Sequence, residues 1–329
     1  MTALHRPSSV AAVLVALAVF AAPAARADVE VTPTMDLNDL RDALNESGGL
    51  TITDVTVVAG VAGQFGVYSN FAAAPITIDD GVILSSGNVS YVGPPADPIL
   101  DYPQPSWDMQ VPGTPEFDAF GPGNIENFYG SYDVAALRVD FELEEDSQVQ
   151  FDFVFGSVEF PYWTSAYTDS FIVFLDGTAP ENQITFDRNG NPVQVGVSFA
   201  GLVSTDDQNT AFAYPHGLLR KLITTTAELN AGPHTLWFEV GDVNDHILDS
   251  AVFIANLRTG QGDEGTEPEH GDVNRDGSID GLDIQAFVDV LYGFDDDPDH
   301  RIAADMNDDG TVDTQDVYGF VECLVIHDC

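Results

Sequence analysis

Lysine occurs once in this 329-residue chain, at position 221, and Lys and Arg together number 10 against 54 Asp and Glu, a formal charge of −44. So few cations cannot neutralise a phosphate backbone, which excludes nucleic-acid binding. The same shortage excludes docking on an anionic lipid surface. Cysteine is nearly absent as well. Two residues, Cys323 and Cys329, rule out a disulfide-stapled scaffold and a four-cysteine zinc site. The chain has no Gly-x-Ser-x-Gly nucleophile elbow and no His-Glu-x-x-His zinc helix, and its seven histidines are scattered. His216, His234 and His246 read as turn residues rather than bases. Past the first few turns of chain, no apolar run approaches the about 20 residues that a bilayer-spanning helix requires.

What is present is ordinary for a globular protein: 44% hydrophobic residues and 21 Phe, so the charge does not signal general disorder. Gly 29 and Pro 19 suit a turn-rich β protein. The excess of carboxylates favours solubility and cation binding. At the N terminus, His5 and Arg6 precede an apolar run from Val10 to Ala22, which Pro23 breaks and Ala25-Arg26-Ala27 closes with small residues. This is the pattern of a cleavable secretory signal over residues 1–27. Export would place the protein where calcium can reach millimolar concentrations, the affinity range of extracellular calcium modules.

Charge by region suggests the domains. Asp28–Arg258 carries 34 acidic against 6 basic residues, and Asp272–Cys329 carries 16 against 2 in a much shorter span. Between them, residues 259–270 are rich in Gly, Pro and acids, with no large apolar residue to anchor a core. They read as a linker extended by self-repulsion. The expected division is a signal at 1–27, a large domain at 28–258, the linker, and a small module at 271–329.

The large domain reads mainly as strands. Leu37, Leu40 and Leu44 recur at helical spacing and Gly48-Gly49 stops the run, so one short helix opens it. Thr51–Val58 is rich in β-branched residues. Val149, Phe151, Phe153 and Phe155 alternate with Gln150 and Asp152, the period of a half-buried strand. Ser170–Asp176, Val193–Phe199, Thr235–Val240 and Ala251–Leu257 have the same character, each bounded by turn residues. No strand-helix-strand rhythm occurs. The expected fold is a mainly β, jelly-roll-like sandwich of two sheets, followed by a small α module. Tyr91–Asn127, rich in Pro, Gly and acids, is expected to form long surface loops.

The sharpest motif is a repeat. Asp272-Val-Asn-Arg-Asp-Gly-Ser-Ile-Asp-Gly-Leu-Asp283 has the ligand spacing of an EF-hand loop: Asp272, Asn274 and Asp276 at positions 1, 3 and 5, Ser278 at 7 through its carbonyl, Asp280 at 9 and Asp283 at 12. The pattern returns as Asp305, Asn307, Asp309, Thr311, Asp313 and Asp316. Calcium takes six to eight oxygens, which alternate loop residues can point inward while a glycine at position 6 reverses the chain. Each loop precedes an apolar stripe at helical spacing, Ile284, Phe287, Val288 and Leu291, then Val317, Phe320, Val321 and Leu324. Two calcium ions are expected.

Two loop-helix halves with Asp at position 12 resemble a type I dockerin over Gly271 to about Val325. The resemblance implies calcium binding and a face that docks on a cohesin module of another protein. Where that family often carries hydroxyl pairs at loop positions 10 and 11, this chain has Gly281-Leu282 and Thr314-Gln315. For Cys323 and Cys329, in an exported protein, an intrachain bridge, two free thiols and an intermolecular bond all remain open.

The large domain is similar to the choice-of-anchor L domain in three stretches. They are Leu50–Thr56 with Gly63–Gly66 and Asp80–Gly87; Phe153–Pro161 with Tyr167–Phe171; and Val240–Ile254. The resemblance implies a surface or secreted protein whose C-terminal module is its attachment. The same stretches concentrate Glu159, Asp169, Asp242, Asp245 and Asp249. These acids could hold a calcium ion, or they could cap turns by accepting backbone N–H bonds. The functional expectation is a secreted, non-catalytic binding or adhesion protein, tethered by its calcium module to a cohesin-like partner or a cell-surface polymer. Carbohydrate is a further candidate ligand. The alternative is a glycoside hydrolase or accessory protein of a cellulosome-like assembly, acting through a carboxylate pair.

Overall fold

The structure is a computed structural model that describes residues 29–326, except 45, 72–77, 79, 94–104, 165, 188–189, 197–198, 200–202, 205–209, 213–215, 220–221, 261–269, 275–278, 280, 282, 296–297 and 308–309. The expected signal segment lies outside the described residues, as does most of the expected linker.

Two antiparallel sheets form the large domain. The first runs β1 (Glu30–Pro33), β3 (Phe65–Ser69), β4 (Gly81–Ser85), β13 (Ser250–Gly260), β6 (Gln148–Ser157), β10 (Gly217–Leu219), β9 (Val203–Ser204), with β11 (Leu222–Thr225) also paired to β6. The second runs β2 (Leu50–Ala59), β5 (Ser131–Leu143), β12 (Gly232–Val243), β7 (Ser170–Leu175), β8 (Val193–Gln194). Successive strands pass back and forth between the sheets. The two sheets share one core, because side chains of a strand alternate between faces. Leu137, Val139 and Phe141 of β5, Phe151, Phe153 and Phe155 of β6, and Phe238 and Val240 of β12 all enter it.

Both sheets are also covered over part of their outer faces, which period-2 reading misses. On β13, Ala251, Phe253 and Ala255 turn outward into a second apolar cluster with Val29, Phe71 and Phe212. The strand at Val149–Phe155, expected to be half-buried, therefore loses exposure on both faces along most of its length. On the second sheet, Ile172, Phe174, Val134 and Ala136 are covered by helix α2 (Pro115–Phe120) through Phe117 and Phe120. This corrects the expectation of surface loops there. Thr114 caps the helix, accepting a bond from the Phe117 N–H at 3.1 Å, and Pro115 supplies the pre-set φ of a first helical residue.

Other boundaries shift as well. The expected strand Val193–Phe199 stops after Gln194. The opening helix α1 (Leu37–Ala43) buries Leu40 and Leu44 but leaves Leu37 exposed. β13 continues through Thr259 and Gly260, which pair with Val149 and Gln148, so these two residues belong to the sheet.

The C-terminal segment has its own core. Helices α3 (Asp283–Leu291), α4 (Pro298–Ala304) and α5 (Asp316–Ile326) surround Val273, Phe287, Val290, Ala303 and Phe320. Phe287 and Phe320, each four residues into the helix after its loop, stack with centroids 4.1 Å apart and planes 7° from parallel. α4, between the two repeats, has no counterpart in the sequence reading.

Candidate functional site

The two acidic loops close in the same way. In the second, Asp305 follows α4 directly and its Oδ2 accepts from the Gly310 N–H at 2.7 Å. Gly310 sits at φ +83°, a region glycine adopts freely. Asp316 opens α5, and its two oxygens accept from the Asn307 N–H at 3.3 Å and the Asp313 N–H at 2.8 Å. The first loop repeats the closing contact: Asp283 accepts from the Asn274 N–H at 3.0 Å. Asp283 and Asp316 are fully buried, and Asp272 and Asp305 nearly so.

A carboxylate at position 12 that bonds back to the start of its loop folds the loop into a ring, with its oxygens drawn inward. An all-oxygen set held this way fits calcium, a hard cation with flexible geometry. Thr311 lies in the second ring, while Asp276, Ser278, Asp280 and Asp309 lie outside the described residues. Cys323 is buried and disulfide-bonded; Cys329 lies outside the described residues. Several large apolar side chains on these helices and the turn after α3 face solvent. Ile284, Tyr292, Phe294 and Val321 are each at least half exposed, and Tyr318 is 76% exposed. A small module rarely leaves so many uncovered without a docking role.

A second group of acids collects at one end of the sandwich. Asp242 is near the end of β12, Asp169 immediately precedes β7, Asp249 immediately precedes β13, and Glu159 follows β6. The pairings Ser250 with Ser157 and Gly241 with Ser170 bring the ends of these strands level within each sheet. Asp169, Asp242, Asp249 and Glu159 are all fully buried. Asp169 accepts from the Val243 N–H at 3.0 Å and the Ser250 hydroxyl at 2.7 Å. Asp249 accepts from the Trp107 N–H at 2.8 Å through Oδ1 only. Its Oδ2, and both oxygens of Asp242 and Glu159, have no hydrogen-bond donor. Asp245 sits at the rim, partly exposed, accepting from the Ile247 N–H.

Burial raises all five acids. It pushes Glu159 up to about 10, with Asp169 and Asp245 adding repulsion, Asp249 to about 7 and Asp245 to about 6. Asp169 and Asp242 are held well above the usual carboxylate range, again chiefly by burial.

The sequence reading did not include the groups that frame this cluster. Buried Gln64 donates to the carbonyls of Ser85, Ser86 and Asp133, and Ser86 exchanges bonds with the Ser250 backbone. Gly87 admits no side chain, since a Cβ there would sit 1.6 Å from Asp249 Oδ2. Next to the cluster, ligand atoms of Asp108, Asp133 and His246 lie within 4.8 Å of one another. Both Asp133 oxygens, however, already accept backbone N–H bonds from Met109 and Val111, which makes Asp133 a loop anchor.

On the second sheet, an open groove of about 460 Å³ is lined by Arg138, Asp140, Asp176, His234 and Trp237 among others. Its polar groups are committed to one another. Arg138 bonds Asp140 at 2.8 Å and lies over the Trp237 ring, and His234 bridges Asp176 and the Asn230 carbonyl.

The family pattern for the choice-of-anchor L domain matches residues 30–257, most of the chain, and the pattern for the dockerin type I domain matches residues 270–318. The chain belongs to the choice-of-anchor L domain family and carries a type I dockerin domain behind it. No curated protein and no solved structure matches it. Type I dockerins bind calcium and dock onto cohesin modules, and both domain types are typical of extracellular or cell-surface proteins. Neither matched domain is catalytic. Among the described residues, no helix is long and apolar enough to cross a membrane.

Proposed function

We propose that this is an exported, non-catalytic binding protein whose sandwich acts at the cell surface or outside the cell, and whose C-terminal domain folds around two calcium ions to tether it to a cohesin module. The observation that carries the reading is the matched closure of the two loops. Asn274 bonds Asp283 and Asn307 bonds Asp316 at the same spacing, and the helices that follow pack through the Phe287–Phe320 stack. The ligands are Asp272, Asn274, Asp276, Ser278, Asp280 and Asp283 in the first loop, and Asp305, Asn307, Asp309, Thr311, Asp313 and Asp316 in the second. The exposed Ile284, Tyr292, Tyr318 and Val321 supply the apolar centre of the docking face.

Support for a non-catalytic sandwich comes from its acids. Glycosidase carboxylates flank a bound sugar, whereas Glu159, Asp169, Asp242 and Asp249 are closed to solvent. The test is binding of the full chain to a panel of type I cohesins, in calcium and in EDTA. Calcium-dependent capture by at least one cohesin, lost on changing Tyr318 and Val321 to Asp, is expected. Equal capture in EDTA would overturn the reading.

A further inference from the structure

We propose that the carboxylates of Glu159, Asp169, Asp242 and Asp249 form a calcium site inside the sandwich, separate from the dockerin loops. Five oxygens of this group, both of Asp242, both of Glu159 and Oδ2 of Asp249, are buried with no donor. Buried charges are normally paired or bound to metal. Among the described residues of the sandwich no arginine is left to neutralise them, and the neighbouring His246 stands with Asp108 and Asp133. Arg41, Arg138 and Arg258, the described arginines of the sandwich, are paired with Asp42, Asp140 and Asp152. The Ser86 hydroxyl, whose nearness favours the charged form of Asp242, is spent on the Ser250 backbone.

The donor set selects the ion class. It is all carboxylate oxygen, with neither sulfur nor imidazole among its members, so it suits a hard divalent cation. The acids come from strand ends in both sheets, and no three of them hold ligand atoms within 4.8 Å of one another, so their side chains must close on an ion rather than meet it in a preset polyhedron. Calcium tolerates irregular coordination by six to eight oxygens, whereas magnesium requires near-ideal octahedral geometry. Four carboxylates supply up to eight oxygens, of which Asp169 and Asp249 Oδ1 already hold donors. Gly87, lacking a β-carbon, lets the Asp249 carboxylate sit directly against its backbone. Asp245 at the rim marks the approach. The bound ion would draw the side chains inward and clamp the first sheet to the second at this end of the sandwich.

Tryptophan placement makes the site separately visible. The three tryptophans, Trp107, Trp163 and Trp237, all belong to the sandwich. Trp107 donates its N–H to Asp249, and Trp163 donates its own to the Glu159 carbonyl at 2.9 Å. Terbium, a luminescent stand-in for calcium, is therefore titrated into the full chain with excitation at the red edge, where only tryptophan absorbs. Saturable emission displaced by calcium is expected. It should fall at least tenfold in the double variant Glu159→Gln, Asp242→Asn, and persist in Asp272→Ala, Asp305→Ala, which alters only the dockerin loops. A second measurement needs no change in the cluster: the Asp272→Ala, Asp305→Ala chain, dialysed against calcium, should still retain an ion. Absence of sensitised emission, emission unchanged in the cluster variant, or an ion-free loop variant would each show that the acids are neutralised by shared protons, and would overturn the site.

Discussion

Replacing Glu239 by glutamine should stabilise the sandwich above neutral pH and change little near pH 4. Glu239 lies on β12, on the outer face beneath α2, fully buried. Its Oε2 accepts the Thr114 hydroxyl at 2.6 Å and its Oε1 has no donor. Burial, the main cause, raises its pKa from 4.5 to about 7; the Thr114 bond opposes the rise and the nearby Glu116 charge adds to it. In the unfolded chain the same carboxyl titrates at its ordinary value. Between the two values the native state holds a proton that the unfolded state has lost, so stability falls as pH rises through that window. A shift from 4.5 to about 7 corresponds to about 3 kcal/mol, at 1.36 kcal/mol per unit. Glutamine keeps the acceptor for Thr114 and does not titrate. Urea unfolding of both proteins at about pH 4 and about pH 8, in saturating calcium, isolates the effect, because every other acid is common to both. The Glu239→Gln chain should lack the wild-type loss of about 3 kcal/mol. Parallel stability profiles would refute the reasoning and mean that the carboxylate reaches water or an unseen donor.

Three further outcomes follow from the same structure. Phe320→Ala removes half of the stack with Phe287 in a small core, at a cost of about 3–5 kcal/mol, and should raise the calcium needed to fold the C-terminal helices, read by circular dichroism of the full chain. Gly310→Ala places a β-carbon at φ +83° in open space, so it should weaken calcium binding by backbone strain alone, by about 1 kcal/mol or roughly five- to tenfold, measured by calorimetry. With 54 acids against 10 basic residues, the melting temperature should rise with added NaCl and more steeply with CaCl₂; a melting temperature independent of both would show the acids too widely spaced to repel.

The parts of this account that were legible in the sequence are local. The calcium loops were readable because their ligands fall within twelve consecutive residues, and Phe287 and Phe320 because a helical stripe repeats every three or four. Strands such as β6 and β13 announced themselves by alternation. What escaped depends on contacts distant in the chain. β5, Ser131–Leu143, hydrogen-bonds both β2 and β12, yet its run of Ala135, Ala136, Leu137 and Arg138 hides the alternation. α2 is only six residues long, within a stretch whose Pro and Gly read as loop, and its value lies in covering Ile172 and Phe174. The acid cluster was visible as a list of carboxylates beside strand ends. Which oxygens are starved of donors follows from bonds such as Ser250 to Asp169, 81 residues apart, that no periodicity encodes.

The central claim, that calcium binding folds the tether, is tested most directly by hydrogen exchange of the full chain with and without calcium. Binding free energy in such small metal-dependent domains is folding free energy. In calcium, amides of α3 and α5 should be protected. In EDTA they should exchange within seconds while β5, β6 and β12 stay protected, and in Asp272→Ala, Asp305→Ala calcium should restore nothing. Helices α3 and α5 equally protected in EDTA would contradict the account, because the Phe287–Phe320 core would then hold the tether folded on its own.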